Sequence, residues 1–371
     1  MMRFILTLAI AIAFLPAASA RAASYSPTTL DIGAAAPDFD LPGIDGQNHA
    51  LKDFAAAKIL VIIFTCNHCP TAQAYEQRIV KMYDDYKDKG VALVAISPND
   101  PLAVRLDELG YTDLGDSFED MKLRAKERGF KFPYLYDGQT QTVAKAYGVQ
   151  ATPHVFIFDE SRKLRYVGRI DDGEVKPVKN HDARNAIDAL LAGKPVPVAQ
   201  TRCFGCSTKW SDKREDAKRS LAKWDAEPVD LKDIDAAKVK DLARNDSKKL
   251  RVINVWATSS GPSLTELPEL VTMNRMYRGR AFELITIGMD DPAKRDNALE
   301  MLKKLHVSSA NYIYTGDDRD KLADALDAKW AGLLPHTLVI APGGKVIIRK
   351  TGAVDPLELR RAIVGYLGRT Y

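Results

Sequence analysis

The chain has 371 residues, 46% of them hydrophobic and 27% charged, a composition that supports folded cores and excludes disordered, collagen-like and disulfide-dense classes. Single cores stop growing near about 250–300 residues, so two globular units are expected rather than one. The 53 basic and 49 acidic residues leave a net charge of +4 without a long run of one sign, which gives no electrostatic case for nucleic acid as a partner.

Met1-Met2-Arg3 precede the apolar run Phe4 to Leu15, followed by Pro16 and the small residues Ala17-Ala18-Ser19-Ala20. That order predicts a signal peptide over residues 1–20, with cleavage after Ala20 or at the nearby Ala22 or Ala23. The apolar run is shorter than the roughly 20 residues that span a bilayer, and no later segment has a comparable run. The mature chain is therefore expected to have no stable membrane span and to work in the periplasm or as a secreted protein, where disulfides persist.

Residues 31–194 read as the first folded unit. Turn signals at Pro37, Pro42-Gly43 and Asp45-Gly46 lead into Ile59 to Phe64, a short β-branched run that predicts a buried strand. Cys66 and Cys69 follow at once, and then Ala72, Tyr75, Ile79, Val80 and Tyr83 recur at helical spacing. Val91 to Ile96 predicts a second buried strand, Phe118 to Arg128 a charged helix, and Phe132 to Tyr136, Val155 to Phe158 and Leu164 to Val167 three more strands. His181 to Leu191 closes the unit as a helix, and Gly193-Lys194-Pro195-Val196-Pro197 breaks it. Residues 195–228 read as a linker that carries Cys203, Cys206 and the charged stretch Ser211 to Lys223. From residue 229 to 371 the order restarts, with strands at Leu250 to Trp256 and Phe282 to Ile287, helices ending at Met276 and spanning Ala293 to Leu305, and a hairpin of Thr337 to Ile340 with Val346 to Arg349. The fold class is α/β: two related domains, each a mixed sheet flanked by helices.

The order strand, Cys66-Asn67-His68-Cys69-Pro70, helix points to dithiol redox chemistry. A cysteine at a helix start meets unpaired N–H groups and the positive end of the dipole, which favours thiolate. Cys66 is thus expected to be the exposed nucleophile, Cys69 the resolving thiol one turn on, and a protonated His68 a modulator of the Cys66 thiolate. A structural staple gains little, because so short a loop removes little chain entropy. Zinc shared by the two pairs would need a separation of about 15–20 residues, far less than the actual one. Copper on Cys66, Cys69 and His68 is the non-enzymatic rival, since thiolate and imidazole suit that ion. No resident metal and no cofactor beyond the redox disulfide are expected; the partners are protein thiols or disulfides and a redox partner protein.

Several motifs resemble the redoxin, or peroxiredoxin-like, branch of the thioredoxin superfamily over residues 31–210: Ala36-Pro37-Asp38-Phe39-Asp40-Leu41, Phe64-Thr65-Cys66-Asn67-His68-Cys69-Pro70, Gly148-Val149 with Thr152-Pro153-His154, and Gly205-Cys206-Ser207 with Lys209-Trp210. The resemblance implies a thioredoxin-like fold in which Pro153 is a cis-proline against the cysteine pair and the Thr152 backbone receives substrate peptide as an added strand. Two departures qualify it. If Cys69 takes the peroxidatic position, Cys66 replaces the Thr or Ser and Pro153 the Arg that peroxide chemistry uses, which demotes peroxidase activity. The strand before the pair also lacks the buried Asp that thioredoxins offer as proton acceptor.

Cys203 and Cys206 do not lie between a strand and a helix, so they form no second active site of that kind. They read equally as a local disulfide or as a redox relay to Cys66 and Cys69. Residues 229–371 resemble the TlpA-type thioredoxins through Trp256-Ala257-Thr258-Ser259-Ser260-Gly261-Pro262-Ser263, Glu266 and Pro268. Ser260 and Ser263 stand where that family has cysteines, so this domain is expected to be redox-inert, and Leu334-Pro335-His336 matches the cis-proline segment of a docking groove.

Overall fold

The computed structural model describes residues 25, 27–316 and 318–371. The expected signal peptide lies outside them, and among the described residues no helix is long and apolar enough to cross a membrane.

Ile59–Phe64 is buried along its whole length because it is the central strand of a five-stranded sheet. It pairs in parallel with Val91–Ser97, which pairs in parallel with Tyr134–Tyr136, and antiparallel with His154–Phe158, whose other neighbour is Leu164–Gly168. Alternation sends Ile59, Val61 and Ile63 into one core, with Tyr75, Ile79 and Met82 of the helix Pro70–Tyr86. Leu60, Ile62 and Phe64 enter the opposite core, with Tyr147, Phe156 and Trp210. A strand covered on both faces has no polar face to show, which is why its sequence is an unbroken apolar run.

The second sheet has six strands in the order Lys232–Ile234, Ala310–Tyr314, Phe282–Gly288, Leu250–Trp256, His336–Ile340, Val346–Thr351. Leu250–Trp256 holds the central place that Ile59–Phe64 holds in the first, with a parallel and an antiparallel neighbour. Both units are mixed sheets flanked by helices, the thioredoxin-like arrangement. Sequence reading omitted the strand Ala310–Tyr314 and the helices Arg319–Leu326 and Pro356–Leu367.

The stretch expected to be a linker is folded. Trp210 is buried in the first unit, and Arg214–Asp225 is a helix whose end joins the second unit: Arg275 bonds Asp225, and Arg278 lies over Trp224. A second junction forms at the loop 110–116 of the first unit. The Tyr277 hydroxyl donates to the Thr112 carbonyl (2.8 Å), Arg280 to the Gly110 carbonyl (3.0 Å), and Arg369 to Asp113 (2.6 Å).

Candidate active site

The helix after the first cysteine pair begins at Pro70, so Cys69, not Cys66, is its N-cap. Proline is suited to the first helical position, where no N–H is needed, and it therefore fixes where the helix dipole ends. The exposure expected for Cys66 is absent: Cys66 is 3% exposed and Cys69 0%. All four cysteines are free thiols.

Three sulphurs meet around Cys69. Cys206 packs against the cluster of Cys66, Cys69 and Ala72. The Cys206 backbone N–H donates to Cys69 Sγ (3.3 Å). Cys66 Sγ lies 3.0 Å from Thr152 Oγ1, and the Cys69 thiol faces the Thr152 carbonyl at 3.3 Å. The Thr152-Pro153 bond is cis, as is Leu334-Pro335 in the second unit.

The ionisation order is the reverse of the one the spacing suggested. Burial pushes the Cys66 thiol up, and its hydrogen bond to Cys69 and the negative charge of Asp116 push it further. Burial also opposes ionisation of Cys69, but the hydrogen bonds from Cys206 and Cys66 and the charge of His68 outweigh it, holding that thiol well below the usual range. Of the two thiols, the surroundings favour ionisation of Cys69, the one that caps the helix.

His68 is held by a residue that sequence reading missed. Asp116 is fully buried and accepts from His68 Nδ1 (2.6 Å), from the backbone N–H groups of Asn67 (2.9 Å) and His68 (3.0 Å), and from Asn99 Nδ2 (2.7 Å). Burial lowers the His68 pKa, yet the charge of Asp116 and its hydrogen bond reverse the sign and raise it. Ligand atoms of Cys66, His68 and Asp116 lie within 4.8 Å of one another. Both Asp116 oxygens already accept protein donors, so this group reads as an ion pair that anchors the CxxC loop. No local pattern marks Asp116, which lies 48 positions from His68.

The second cysteine pair sits on this site. Cys206–Ser207 is a short strand antiparallel to Ala151–Thr152, with Thr152 opposite Cys206. The chain itself thus fills the backbone edge that was expected to receive substrate. Close approach demands Gly205, which has φ +144° and where a Cβ would fall 2.0 Å from the Thr152 oxygen. Cys203 is half-buried, 3.9 Å from Gln150 Oε1, at the rim of an open pocket of about 800 Å³ lined also by His154, Thr201 and Arg202.

In the second unit Ser260 caps the helix Gly261–Tyr277, as Cys69 does in the first, and accepts from the Ser263 hydroxyl at 2.9 Å. Glu266 is buried behind them and accepts from Thr337 Oγ1 (2.6 Å); burial raises its pKa. The frame of a dithiol site is present with two hydroxyls in it.

Fold and site define a protein of the redoxin branch of the thioredoxin superfamily. Residues 32–167 and 220–349 match the AhpC/TSA family, and the chain belongs to that family. It is similar to the thiol-disulfide oxidoreductase ResA of Geobacillus thermodenitrificans, 26% identical over 142 residues that make up 38% of this chain and 70% of that protein. Alkyl hydroperoxide reductase E of Mycobacterium bovis is 28% identical over 171 residues, 44% of this chain and 97% of that protein. A solved structure of a hypothetical protein from Sinorhizobium meliloti is 36% identical and covers 50% of this chain and 97% of its own, with a TM-score of 0.45.

Proposed function

We infer that the protein is a thiol-disulfide oxidoreductase whose redox couple is Cys66 and Cys69. The observation that carries this reading is the buried Cys66 and Cys69 pair ahead of a helix that Cys69 caps, with Cys206 packed on it and the charge of His68 beside Cys69. The Cys69 thiolate attacks one sulphur of a substrate disulfide and forms a mixed disulfide, and the leaving sulphur takes a proton. Cys66 then attacks Cys69 Sγ, the Cys66–Cys69 bond forms, and the second substrate thiol departs protonated. The substrate gains the two electrons that the pair loses; the partner couple sets the direction. The N-terminal segment fits export to an oxidising compartment, and the hydroxyl-bearing second domain fits docking of an extended protein partner at Leu334-Pro335.

The similarity to an alkyl hydroperoxide reductase and the ionised Cys69 favour peroxide reduction as a second reading. Against it, Pro153 stands where that chemistry places arginine. Reduction of insulin by dithiothreitol, followed by turbidity, tests the main reading. The wild-type chain should accelerate it, and Cys66→Ser and Cys69→Ser should abolish the acceleration. Peroxide consumption without insulin reduction would replace this reading with the second. Thiol titration unchanged by oxidant yet blocked by copper would replace it with metal binding.

A further inference from the structure

A buried couple needs a way to exchange with partners too large to reach it. Cys66 and Cys69 are covered by the segment that runs through Gly205, Cys206 and Ser207. This segment occupies the Thr152 edge as a peptide would, presents a thiol to Cys69, and continues to Cys203 at an open pocket. We propose that Cys203-Phe204-Gly205-Cys206 is a tethered redox substrate, a built-in second couple that relays electrons between the buried pair and external protein partners.

The proposal rests on the dithiol reading above and extends it to a second catalytic pair. With Cys203 and Cys206 joined and the buried pair reduced, the Cys69 thiolate attacks Cys206 Sγ. The Cys69–Cys206 bond forms, the Cys203–Cys206 bond breaks, and Cys203 leaves as a thiolate that takes a proton. Cys66, giving up its proton, then attacks Cys69 Sγ; the Cys66–Cys69 bond forms and Cys206 leaves and is protonated. Two electrons pass from the Cys66/Cys69 pair to the Cys203–Cys206 disulfide; of the two protons that end on the second pair, one comes from Cys66 and one from solvent, replacing the proton Cys69 released on ionising. No other redox reactant enters. The reverse sequence uses the same contacts, and Cys203 then meets the external disulfide or dithiol.

Three features fit this role and not that of an incidental bridge. Thr152 lies opposite Cys206 in the strand pairing, so the thiol is held in register with the site. Phe204 packs on Tyr75 of the helix that Cys69 caps, with ring centroids 6.1 Å apart, which anchors the segment between its two thiols. Cys206 is raised in pKa first by its hydrogen bond to Cys69, so its acidity depends on the state of the couple it serves.

The test uses the full chain. The double variant Cys66→Ser with Cys203→Ser keeps Cys69 and Cys206; limiting diamide should join them within one molecule, read by mass mapping of unreduced peptides. Cys66→Ser with Cys206→Ser keeps Cys69 and Cys203 and should yield little intramolecular link. Cys206→Ser and Cys206→Ala should each slow insulin reduction by about tenfold or more, because the contacting thiol is gone. Absence of the Cys69–Cys206 link, or equal linking in both double variants, overturns the relay. Wild-type rates in both Cys206 variants, with Cys69→Ser inactive, also overturn it while leaving the dithiol reading intact. Full activity of Cys69→Ser removes both.

Discussion

Gly205→Ala isolates the docking of the second cysteine pair without touching a sulphur. The added Cβ would meet the Thr152 oxygen at 2.0 Å and the Thr152 carbonyl carbon at 2.8 Å, and both are backbone atoms that cannot turn aside. At φ +144° a side chain is strained as well. A backbone conformation reserved for glycine costs roughly 1–3 kcal/mol when another residue adopts it. The strand pairing at this edge is only two residues long, with the Cys206 N–H bond to Cys69 and the Phe204–Tyr75 contact beside it, so the segment and not the buried Thr152 is the part that yields. A destabilisation of about 2–3 kcal/mol raises the undocked population about 30- to 150-fold, at tenfold per 1.4 kcal/mol. A buried thiol reacts from the opened state, and its alkylation rate follows that population. Reduced protein treated with limiting iodoacetamide and mapped by mass spectrometry should show Cys69 labelling faster by this factor in the variant. An unchanged Cys69 rate in a variant that melts like the wild type would refute the idea that residues 205–207 cover the site.

Asp116→Asn should lower the His68 pKa, since the carboxylate is what raises it, and should thereby weaken the Cys69 thiolate. With the charge of His68 weakened, the thiolate titration followed at 240 nm should move to higher pH, and an unmoved titration would count against the role of Asp116. Asp113 is held down to about 2, against burial, first by its hydrogen bond to Arg369 and then by the charge of Arg124. A carboxyl depressed on folding stabilises above its unfolded pKa, and the gain disappears as pH falls toward 2. Arg369→Ala should therefore lower the thermal midpoint near neutral pH, by about 1 kcal/mol in stability, with the difference from wild type shrinking between pH 4 and pH 2. Ser260→Cys combined with Ser263→Cys should form a disulfide under mild oxidant, because the two hydroxyl oxygens are already 2.9 Å apart; two free thiols by mass after oxidation would count against the inherited geometry.

The CxxC loop was legible because an apolar β-branched run, two cysteines and a helical repeat follow one another within the same short stretch, and each signal is local. The helix after the pair was legible too, but Cys66 was expected at its start, one turn before the residue that caps it. Pro70 marks the first helical position, and giving it that weight would have placed Cys69 at the cap. Asp116 was invisible, because its role comes from the packing of a polar loop against residues 67 and 68. The pairing of Cys206 with Thr152 is two residues long, too short for any periodicity to register. Arg214–Asp225 looked like a linker since its charges suggest solvent, yet it folds as a helix whose Trp224 and Asp225 are held by Arg275 and Arg278. The internal duplication was visible from motif order, whereas the strand Ala310–Tyr314, with its mixed polar and aromatic composition, was not.

The loop 110–116 links the chemistry of one domain to the position of the other. Its carbonyls at Gly110 and Thr112 and its Asp113 carboxylate are held by Arg280, Tyr277 and Arg369, and three residues further on Asp116 grips His68. Thiol acidity in the first domain is thus mechanically tied to side chains of a domain whose own site holds no sulphur. A ligand of the second domain acts on Cys69 through this loop only to the extent that it binds differently to the two ionisation states. By thermodynamic reciprocity, ionisation of Cys69 then alters that ligand's affinity by the same factor.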